Sequence, residues 1–225
     1  MTTLQSRPIA IPLPNGTAVS GLVLLPDAAR AACVLAHGAG AGMSHPFMAA
    51  TADFLAQRGI ATLRYQFPYM ERGARRPDPP AVAHAAVRAA VAEAARQFPA
   101  LHLFAGGKSF GGRMTSQAQA ESPLPGVEGL VFLGFPLHPA QRPSVDRAQH
   151  LANIRIPMLF LQGSRDALAE HALIVRVAAG LGSRTTLRTF ADADHSFHVP
   201  ARSGRTDVQV LAELCDAMAG WMIGD

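Results

Sequence analysis

The stretch that most constrains this chain is Gly106-Gly107-Lys108-Ser109-Phe110-Gly111-Gly112, a serine with glycines on both sides. It follows the apolar run 101–105 and precedes residues 113–121, whose composition favours a helix. A strand, a glycine-flanked serine and a helix are typical of a nucleophile elbow, where the strained serine backbone leaves no room for nearby side chains. The pattern predicts that Ser109 is a nucleophile at the end of a strand. The alternative is a glycine-rich turn with an incidental serine.

Apolar runs alternate with helix-like segments along the rest of the chain. The predicted strands are 7–11, 17–24, 32–36, 61–65, 101–105, 129–134, 158–161 and 186–190. The predicted helices are 47–58, a segment from the start signal at 78–80 to about 98, 113–121, 168–179, and a last helix capped by Thr206 with Gln209. Residues 66–80 and 135–155 are aperiodic, and we expect irregular structure there.

This alternation fixes the expected fold class. Parallel strands need helical crossovers, and the first two strands flank Asn15-Gly16, which is a hairpin signal. The sequence therefore predicts an α/β protein, with a doubly wound, mostly parallel sheet and a leading antiparallel hairpin, as a single domain over residues 1–225. In such sheets, binding sites form beyond the carboxyl ends of the strands.

Composition narrows the range of partners. The chain has 225 residues, of which 49% are hydrophobic, and its formal net charge is +4. Lys108 is its sole lysine, so nearly all of the positive charge is carried by arginine. The arginines are scattered, without a basic stripe interleaved with aromatic residues, so we expect no nucleic-acid partner. Residues 1–15 do not resemble a signal peptide, no run approaches the ~20 apolar residues of a membrane span, and Cys33 and Cys215 fall in predicted core elements. We therefore expect a cytoplasmic protein with two buried thiols and no membrane partner.

A serine hydroxyl needs a base within hydrogen-bond reach, and that base needs an orienting acid. His195 follows the last predicted strand, and Asp166 follows the strand at 158–161. The residues thus occur in the order Ser109, Asp166, His195, each at the carboxyl end of a different predicted strand. This arrangement predicts a Ser-His-Asp triad.

Each triad residue has an alternative. Asp166 is also suited to cap the helix predicted to start near Ala167. His198, three residues after His195, also suits a loop histidine or a substrate contact. The remaining rivals for the base and the acid are His45, His37, Asp192 and Asp194.

Acyl transfer also requires hydrogen-bond donors for the oxyanion that develops on the substrate. One should be the backbone N–H of Phe110, which directly follows the nucleophile. The second should come from the small-residue loop 37–42, with the N–H of Ala39 as first choice and that of Gly40 next. A phosphate-binding loop is the alternative, but no Lys-Ser/Thr pair follows the last glycine of this loop.

Three long segments carry a resemblance to a known family: 37–48 (His37-Gly38-Ala39-Gly40 onward), 64–69 and 107–113. With them the chain resembles the α/β-hydrolase superfamily over nearly its full length. Within it, the chain looks similar to the small, capless branch of dienelactone hydrolase, and most similar to the hydrolase-like domain of the testis-expressed and NSL-complex-subunit family. The resemblance implies an α/β-hydrolase fold without a large cap domain. It also implies Ser109 as nucleophile, Asp166 as acid and His195 as base. Dienelactone hydrolases use a cysteine nucleophile, so a lactone substrate is not implied.

The predicted function is a serine hydrolase that acts on a small-molecule ester or related acyl compound, with no cofactor and no metal ion. A short acyl ester is the favoured substrate, with thioester and amide left open. The residues expected to contact the substrate are His37, Gly40, His45 and Tyr69. Residues 135–139 are a further candidate for the pocket lining, and the arginines at 72, 75 and 76 for attracting an anionic substrate.

The alternative from another class is a non-catalytic binding module of the same fold. Its contact surface would be an exposed Phe67 and Tyr69 together with the arginines at 72, 75 and 76. A haloperoxidase-like or lyase activity on the same triad is a third possibility. The sequence leaves the oligomeric state open.

Overall fold

The structure, a computed structural model, describes residues 5–224, and these form an eight-stranded sheet with helices on both faces. The order of the strands is β1-β2-β4-β3-β5-β6-β7-β8. The two pairs that involve β2 are antiparallel and all other neighbours are parallel, which confirms the predicted fold class. The strands are β1 (Arg7–Pro12), β2 (Ala18–Leu24), β3 (Ala31–Ala36), β4 (Ile60–Tyr65), β5 (His102–Lys108), β6 (Val127–Leu133), β7 (Met158–Gly163) and β8 (Thr185–Phe190).

Six α-helices are present in residues 5–224, together with short 3₁₀ helices. The α-helices are α1 (Pro46–Ala56), α2 (Pro68–Glu71), α3 (Pro80–Gln97), α4 (Phe110–Glu121), α5 (His171–Leu181) and α6 (Asp207–Ile223). The 3₁₀ helices are Asp146–Asn153, Gly182–Arg184 and Ala201–Ser203. The two segments predicted to be irregular, 66–80 and 135–155, thus contain short helices at Pro68–Glu71 and Asp146–Asn153, and α5 begins three residues later than predicted. None of the helices described has both the length and the apolarity needed to cross a bilayer.

Alternate residues of the central strand β3 face opposite helical layers, as the two-residue period of a strand requires. Val34 belongs to the core that α3 and α4 cover, with Val87 and Met114 among its members. Leu35, the next residue, belongs to the core that α1 and α6 cover. Both faces of the sheet are therefore buried, which explains why the central strands are apolar without alternation.

The helix α6 begins with the predicted capping box. The Gln209 N–H donates to the Thr206 hydroxyl oxygen at 3.2 Å, and the Thr206 N–H donates to the Gln209 side-chain oxygen at 2.8 Å. These two bonds satisfy backbone donors that a helix start leaves without partners. The box fixes where α6 starts and hence which of its side chains pack on the sheet.

The two cysteines are free and buried, Cys33 in β3 and Cys215 in α6. Burial raises the pKa of the Cys215 thiol to about 12 and also raises the pKa of Cys33. Both thiols are therefore protonated at neutral pH and pack as small apolar side chains.

The sheet leaves no room for a side chain at Gly106 in β5. A Cβ built there would lie 1.8 Å from the carbonyl oxygen of Val131 in β6, and that oxygen belongs to backbone that cannot rotate away. By contrast, a Cβ at Gly180, on the exposed side of α5, would meet no atom within 4 Å.

We predict that Gly106→Ala lowers the free energy of unfolding by at least about 3 kcal/mol, because the strands β5 and β6 must move apart. Gly180→Ala is the matched control. It should raise the free energy of unfolding by about 0.5–1 kcal/mol, since alanine loses less backbone entropy in a helix. Urea denaturation of both variants measures this, and equal stabilities would contradict the close approach at Gly106.

Candidate active site

Ser109 lies between β5 and α4 in the strained backbone that an elbow requires. Its φ is 50° and its ψ is −112°, a region that residues other than glycine rarely adopt. A Cβ at Gly107 would lie 2.1 Å from the carbonyl oxygen of Ala36, and one at Gly111 would lie 2.4 Å from the same atom. Both glycines of the predicted pattern are therefore required by contact with the end of β3.

The three residues of the predicted triad meet at the carboxyl edge of the sheet. The Ser109 hydroxyl lies 2.8 Å from Nε2 of His195, and Nδ1 of His195 lies 2.7 Å from Oδ2 of Asp166. Asp166 is fully buried, whereas the imidazole retains 22% of its exposure at the edge of a cleft. Since a carboxylate only accepts, this network assigns the proton of the neutral imidazole to Nδ1 and leaves Nε2 free to accept from Ser109.

Gln162, at the end of β7, holds the carboxylate in place. Its amide nitrogen donates to Oδ2 of Asp166 at 2.5 Å, and its amide oxygen accepts from the N–H of Phe135 at 2.9 Å. The Leu168 N–H donates to the other carboxylate oxygen at 2.7 Å. No role for Gln162 was predicted from the sequence. The available signal was a polar residue that directly continues the apolar strand at 158–161.

The alternative role for Asp166, as the cap of a helix that starts near Ala167, is not the one that the structure shows. Helix α5 begins only at His171, with Glu170 at its N-cap position, because residues 167–170 form turns. Asp166 instead accepts from the backbone two residues on, as in an Asx turn. Its side chain thereby keeps the other oxygen for the imidazole.

The rival histidine His198 lies away from Ser109. Its Nδ1 is 2.8 Å from a carboxylate oxygen of Asp207, at the start of α6, and both side chains are exposed. Asp194 accepts from the backbone N–H groups of Ser196 and His198 and thereby shapes the loop that carries His195. No group of three histidine, cysteine or acidic side chains within residues 5–224 is arranged to hold a metal ion.

The two backbone donors predicted for the oxyanion lie beside Ser109. In the described part of the chain, the N–H groups of Ala39 and Phe110 donate to no protein acceptor. The N–H of Gly40, the second choice, donates to the Tyr69 hydroxyl at 2.9 Å and is therefore engaged. Ala39 and Phe110 line the same cleft as Ser109, so their N–H groups stay the candidates for an oxyanion site.

His37 and Tyr69 are fully buried, and this contradicts the prediction that they contact the substrate. Nδ1 of His37 lies 2.8 Å from the carbonyl oxygen of Gly38, and its Nε2 accepts from the N–H of Phe67 at 3.1 Å. Burial lowers the pKa of His37, which keeps the ring neutral as this pattern requires. Both side chains support the loop 37–42 from beneath.

The contact surface expected for a binding module is also absent at Phe67 and Tyr69, because both are buried. Phe67 packs edge-on against His37 and Phe110, with ring centres 5.0 and 5.2 Å apart. Arg72 forms an ion pair with Asp78 at 2.6 Å, which leaves Arg75 and Arg76 as the exposed remainder of that cluster.

Two clefts meet at Ser109, and Ala39 and Leu168 line both. The first, which we call the lysine cleft, has a volume of about 390 Å³ and includes His45, Phe47, Met48 and Lys108 in its walls. The second, the arginine cleft, has a volume of about 380 Å³ and includes Phe110, Arg113, Pro136 and Arg147.

Among the predicted substrate contacts, His45 lines the lysine cleft. Its Nδ1 also accepts from the N–H of Phe47 at 3.2 Å and so caps α1. Gly40 lies at the exposed tip of its loop and is not part of either cleft wall. Of the residues 135–139, Pro136 reaches the arginine cleft.

Lys108 connects the nucleophile to the loop that carries the histidine. Its Nζ donates to the carbonyl oxygen of His195 at 2.6 Å and lies 5.4 Å from the ring centre of Phe197. Burial lowers the pKa of Lys108 to about 8, although the negative charges of Asp166 and Asp194 act in the opposite direction. No role for this lysine in the site was predicted from the sequence.

We predict that the ammonium of Lys108 titrates near pH 8 rather than near 10.5, because its surroundings disfavour the charged form. Since it is the sole lysine, ¹³Cε-lysine labelling gives one signal whose shift can be followed with pH by NMR. The direction of the pH dependence of stability follows from the pKa of Lys108, which is lower in the folded chain than in the unfolded chain. The unfolded chain binds more protons between pH 8 and 10.5, so the contribution of Lys108 to stability rises with pH across this window. A midpoint near 10.5 would show that the ammonium is solvated.

We predict that Gln162→Met lowers the free energy of unfolding by about 1–3 kcal/mol, because the buried Phe135 N–H loses its acceptor and Asp166 loses a donor. Methionine nearly preserves the side-chain volume, so little of the loss should come from a cavity. Gln149→Met is the matched control on an exposed position and should stay within about 0.5 kcal/mol. Equal urea midpoints for the two variants would argue against the support role of Gln162.

Comparison with known proteins places this geometry in a family. Residues 29–223 match the family described as Alpha/beta hydrolase domain. The fold is similar to that of dienelactone hydrolase from Anabaena variabilis, with 19% identity, a TM-score of 0.76 and 98% of each chain covered. It is also similar to an α/β serine hydrolase without a lid from Xanthomonas campestris, with 21% identity, a TM-score of 0.74, and 99% of this chain and 97% of that chain covered. The family match spans most of the sequence, and the chain belongs to the α/β-hydrolase domain family.

Proposed function

We propose that this protein is a serine hydrolase that cleaves an ester or a related acyl bond through an acyl-enzyme intermediate. The observation that carries the proposal is the relay from Ser109 through His195 to Asp166, with hydrogen bonds of 2.8 and 2.7 Å. A scaffold has no need for a strained serine, an imidazole and a buried carboxylate in series. The similarity in fold to a serine hydrolase without a lid from Xanthomonas campestris supports this proposal.

In the proposed first half-reaction, the Ser109 oxygen bonds to the acyl carbon while its proton passes to Nε2 of His195. The carbonyl oxygen takes the electron pair of the C=O double bond and is stabilised by the N–H groups of Ala39 and Phe110. When the electron pair returns, the bond to the leaving group breaks, and the imidazolium gives its proton to that group. Asp166 stabilises the imidazolium throughout and keeps its own charge.

In the second half-reaction, a water molecule takes the place of the leaving group. His195 accepts one water proton while the water oxygen bonds to the acyl carbon, and the same proton then returns to the Ser109 oxygen as the acyl bond breaks. The products are an acid and the regenerated enzyme. No residue other than the relay and the two backbone donors has to exchange a proton or bear the developing charge.

Two features of the site favour a short acyl group. The clefts on either side of Ser109 are of modest volume, about 390 and 380 Å³, and no separate cap domain is present in residues 5–224 to enclose a long chain. We therefore propose a short acyl ester as substrate, with thioesters and amides as related candidates.

We further propose that the protein is cytoplasmic. We also propose that it belongs to the testis-expressed and NSL-complex-subunit branch of the family, because the segments 37–48, 64–69 and 107–113 resemble that branch.

We predict that a fluorophosphonate probe labels the wild-type protein and that Ser109→Ala abolishes labelling, because the probe reacts with an activated serine. The same variant should hydrolyse p-nitrophenyl acetate at background rate. Asp166→Asn should lower kcat by about 10⁴-fold, because the amide no longer enforces the productive imidazole tautomer. Labelling is read by mass spectrometry of the modified peptide and turnover by absorbance.

Ser116→Ala is the matched control. The Ser116 hydroxyl also lies 2.7 Å from a histidine, His150, but no carboxylate contacts that ring among residues 5–224, and Ser116 sits in the middle of α4. Labelling should persist in this variant. Equal labelling of wild type and Ser109→Ala, or no labelling and no turnover by the wild type, would overturn the proposed function.

A further inference from the structure

The arginine cleft contains two guanidinium groups without an anionic partner. Neither Arg113 nor Arg147 forms an ion pair with any carboxylate in residues 5–224, and the buried Nε of Arg113 has no hydrogen-bond acceptor. Both side chains are only partly exposed. The guanidinium carbon of Arg113 lies 5.9 Å from the ring centre of Phe110, which is a cation–π contact and supplies no negative charge. A half-buried cation without an anionic partner is unfavourable for folding, so two of them in one cleft need an explanation.

The other polar groups around this cleft do not supply the missing charge. Asp78 also lines it, but its oxygens accept from the Tyr69 N–H at 2.7 Å and pair with Arg72 at 2.6 Å. His150, which neighbours Arg113, is neutral because burial and the charge of Arg113 lower its pKa to about 4. The pKa of Arg113 is itself lowered by burial and by the charge of Arg147, so the two cations repel each other.

The cleft that holds these cations is continuous with the reacting centre. Ser109, Ala39 and Phe110 line it together with Arg113 and Arg147, so the nucleophile and both proposed oxyanion donors border the same space. A group bound to the arginines would therefore belong to the molecule whose acyl carbon lies at Ser109. Guanidinium groups match carboxylates in charge and in hydrogen-bond geometry.

We propose that Arg113 and Arg147 bind a carboxylate of the substrate, so that the substrate is an ester or related acyl compound with a free carboxylate group. This inference rests on the proposed hydrolase function and narrows its substrate class. The proposed anion site therefore differs from the one that the sequence suggested, which was the group of loop arginines at 72, 75 and 76. Arg72 is paired with Asp78, whereas Arg75 and Arg76 line neither cleft.

Turnover of matched ester pairs tests the proposal. On the acyl side, p-nitrophenyl monosuccinate is compared with p-nitrophenyl butyrate, which has a methyl group in place of the carboxylate. On the alcohol side, 4-acetoxybenzoate is compared with p-tolyl acetate. For at least one pair, the ratio of kcat/KM values (anionic over neutral) should fall about tenfold or more in Arg113→Gln and in Arg147→Gln. Intrinsic reactivity differences cancel, because each variant is compared with the wild type on the same pair.

Arg176→Gln removes the same charge from an exposed position on α5 and should leave both ratios unchanged. The double variant Arg75→Gln, Arg76→Gln tests the loop arginines and should also leave them unchanged. If the ratios are the same in the wild type and in both cleft variants, the proposal is overturned. If only the loop variant lowers a ratio, the carboxylate site lies on the loop and the proposal is likewise overturned.

A binding measurement separates this inference from the proposed function. In Ser109→Ala, calorimetric titration compares succinyl p-nitroanilide with butyryl p-nitroanilide, and 4-acetamidobenzoate with p-acetotoluidide. Tighter binding of an anionic member supports the carboxylate site if the preference is lost when Arg113→Gln or Arg147→Gln is added to Ser109→Ala. This holds even when the wild type turns over no ester, and in that case only the proposed hydrolase function is overturned. Equal binding of the anionic and neutral members, with esters turned over, overturns the carboxylate site alone. If no ester is turned over and the anionic and neutral members bind equally, both the hydrolase function and the carboxylate site are overturned.

Discussion

The carbonyl oxygen of Ala36 is the contact around which the site is built. A Cβ at Gly107 would lie 2.1 Å from this oxygen, and a Cβ at Gly111 would lie 2.4 Å from it, so neither position can carry a side chain. Ala36 is also the last residue of β3, and the loop that carries the Ala39 N–H starts directly after it. One close approach of backbone to backbone therefore sets both the strained position of Ser109 and the start of the loop opposite it.

Buried polar side chains hold the remaining loops at this edge of the sheet. His37 and Tyr69 join the loop after β3 to the segment after β4, through bonds to the backbone of Phe67 and Gly40. Gln162 joins the segment after β6 to the carboxylate after β7. Because buried polar groups are strongly unfavourable when unpaired, each such side chain favours one loop conformation over others. The site is thus preorganised without a cap domain in the described part of the chain.

The sequence predicts the parts of this molecule that follow from local pattern. The apolar runs predict the strands of the sheet, and the glycine spacing predicts the strained turn at Ser109. The positions of Asp166 and His195 after two predicted strands predict that both lie near Ser109. It predicts poorly where one residue type suits two environments. His37 and Tyr69 look like substrate contacts in segments next to a site, yet both side chains are buried, where they pack against Phe67 and Phe110 and hydrogen-bond to backbone. These long-range contacts are not encoded in the local pattern. Likewise, the unpaired state of Arg113 depends on which carboxylates lie nearby, and sequence order does not encode that.

The position of each positive charge determines which step of a reaction it can affect. In the proposed mechanism, the backbone N–H groups of Ala39 and Phe110 donate to the oxygen on which negative charge develops, so they would stabilise the transition state more than the bound substrate and act on kcat. A carboxylate held by Arg113 and Arg147 carries the same charge before and during the reaction. Its binding energy is therefore nearly uniform and acts mainly on KM, except where it aligns the acyl carbon with Ser109. On these two proposals, the arginines would bind the substrate and the backbone amides would act in the transition state, in neighbouring parts of the cleft that all four residues line.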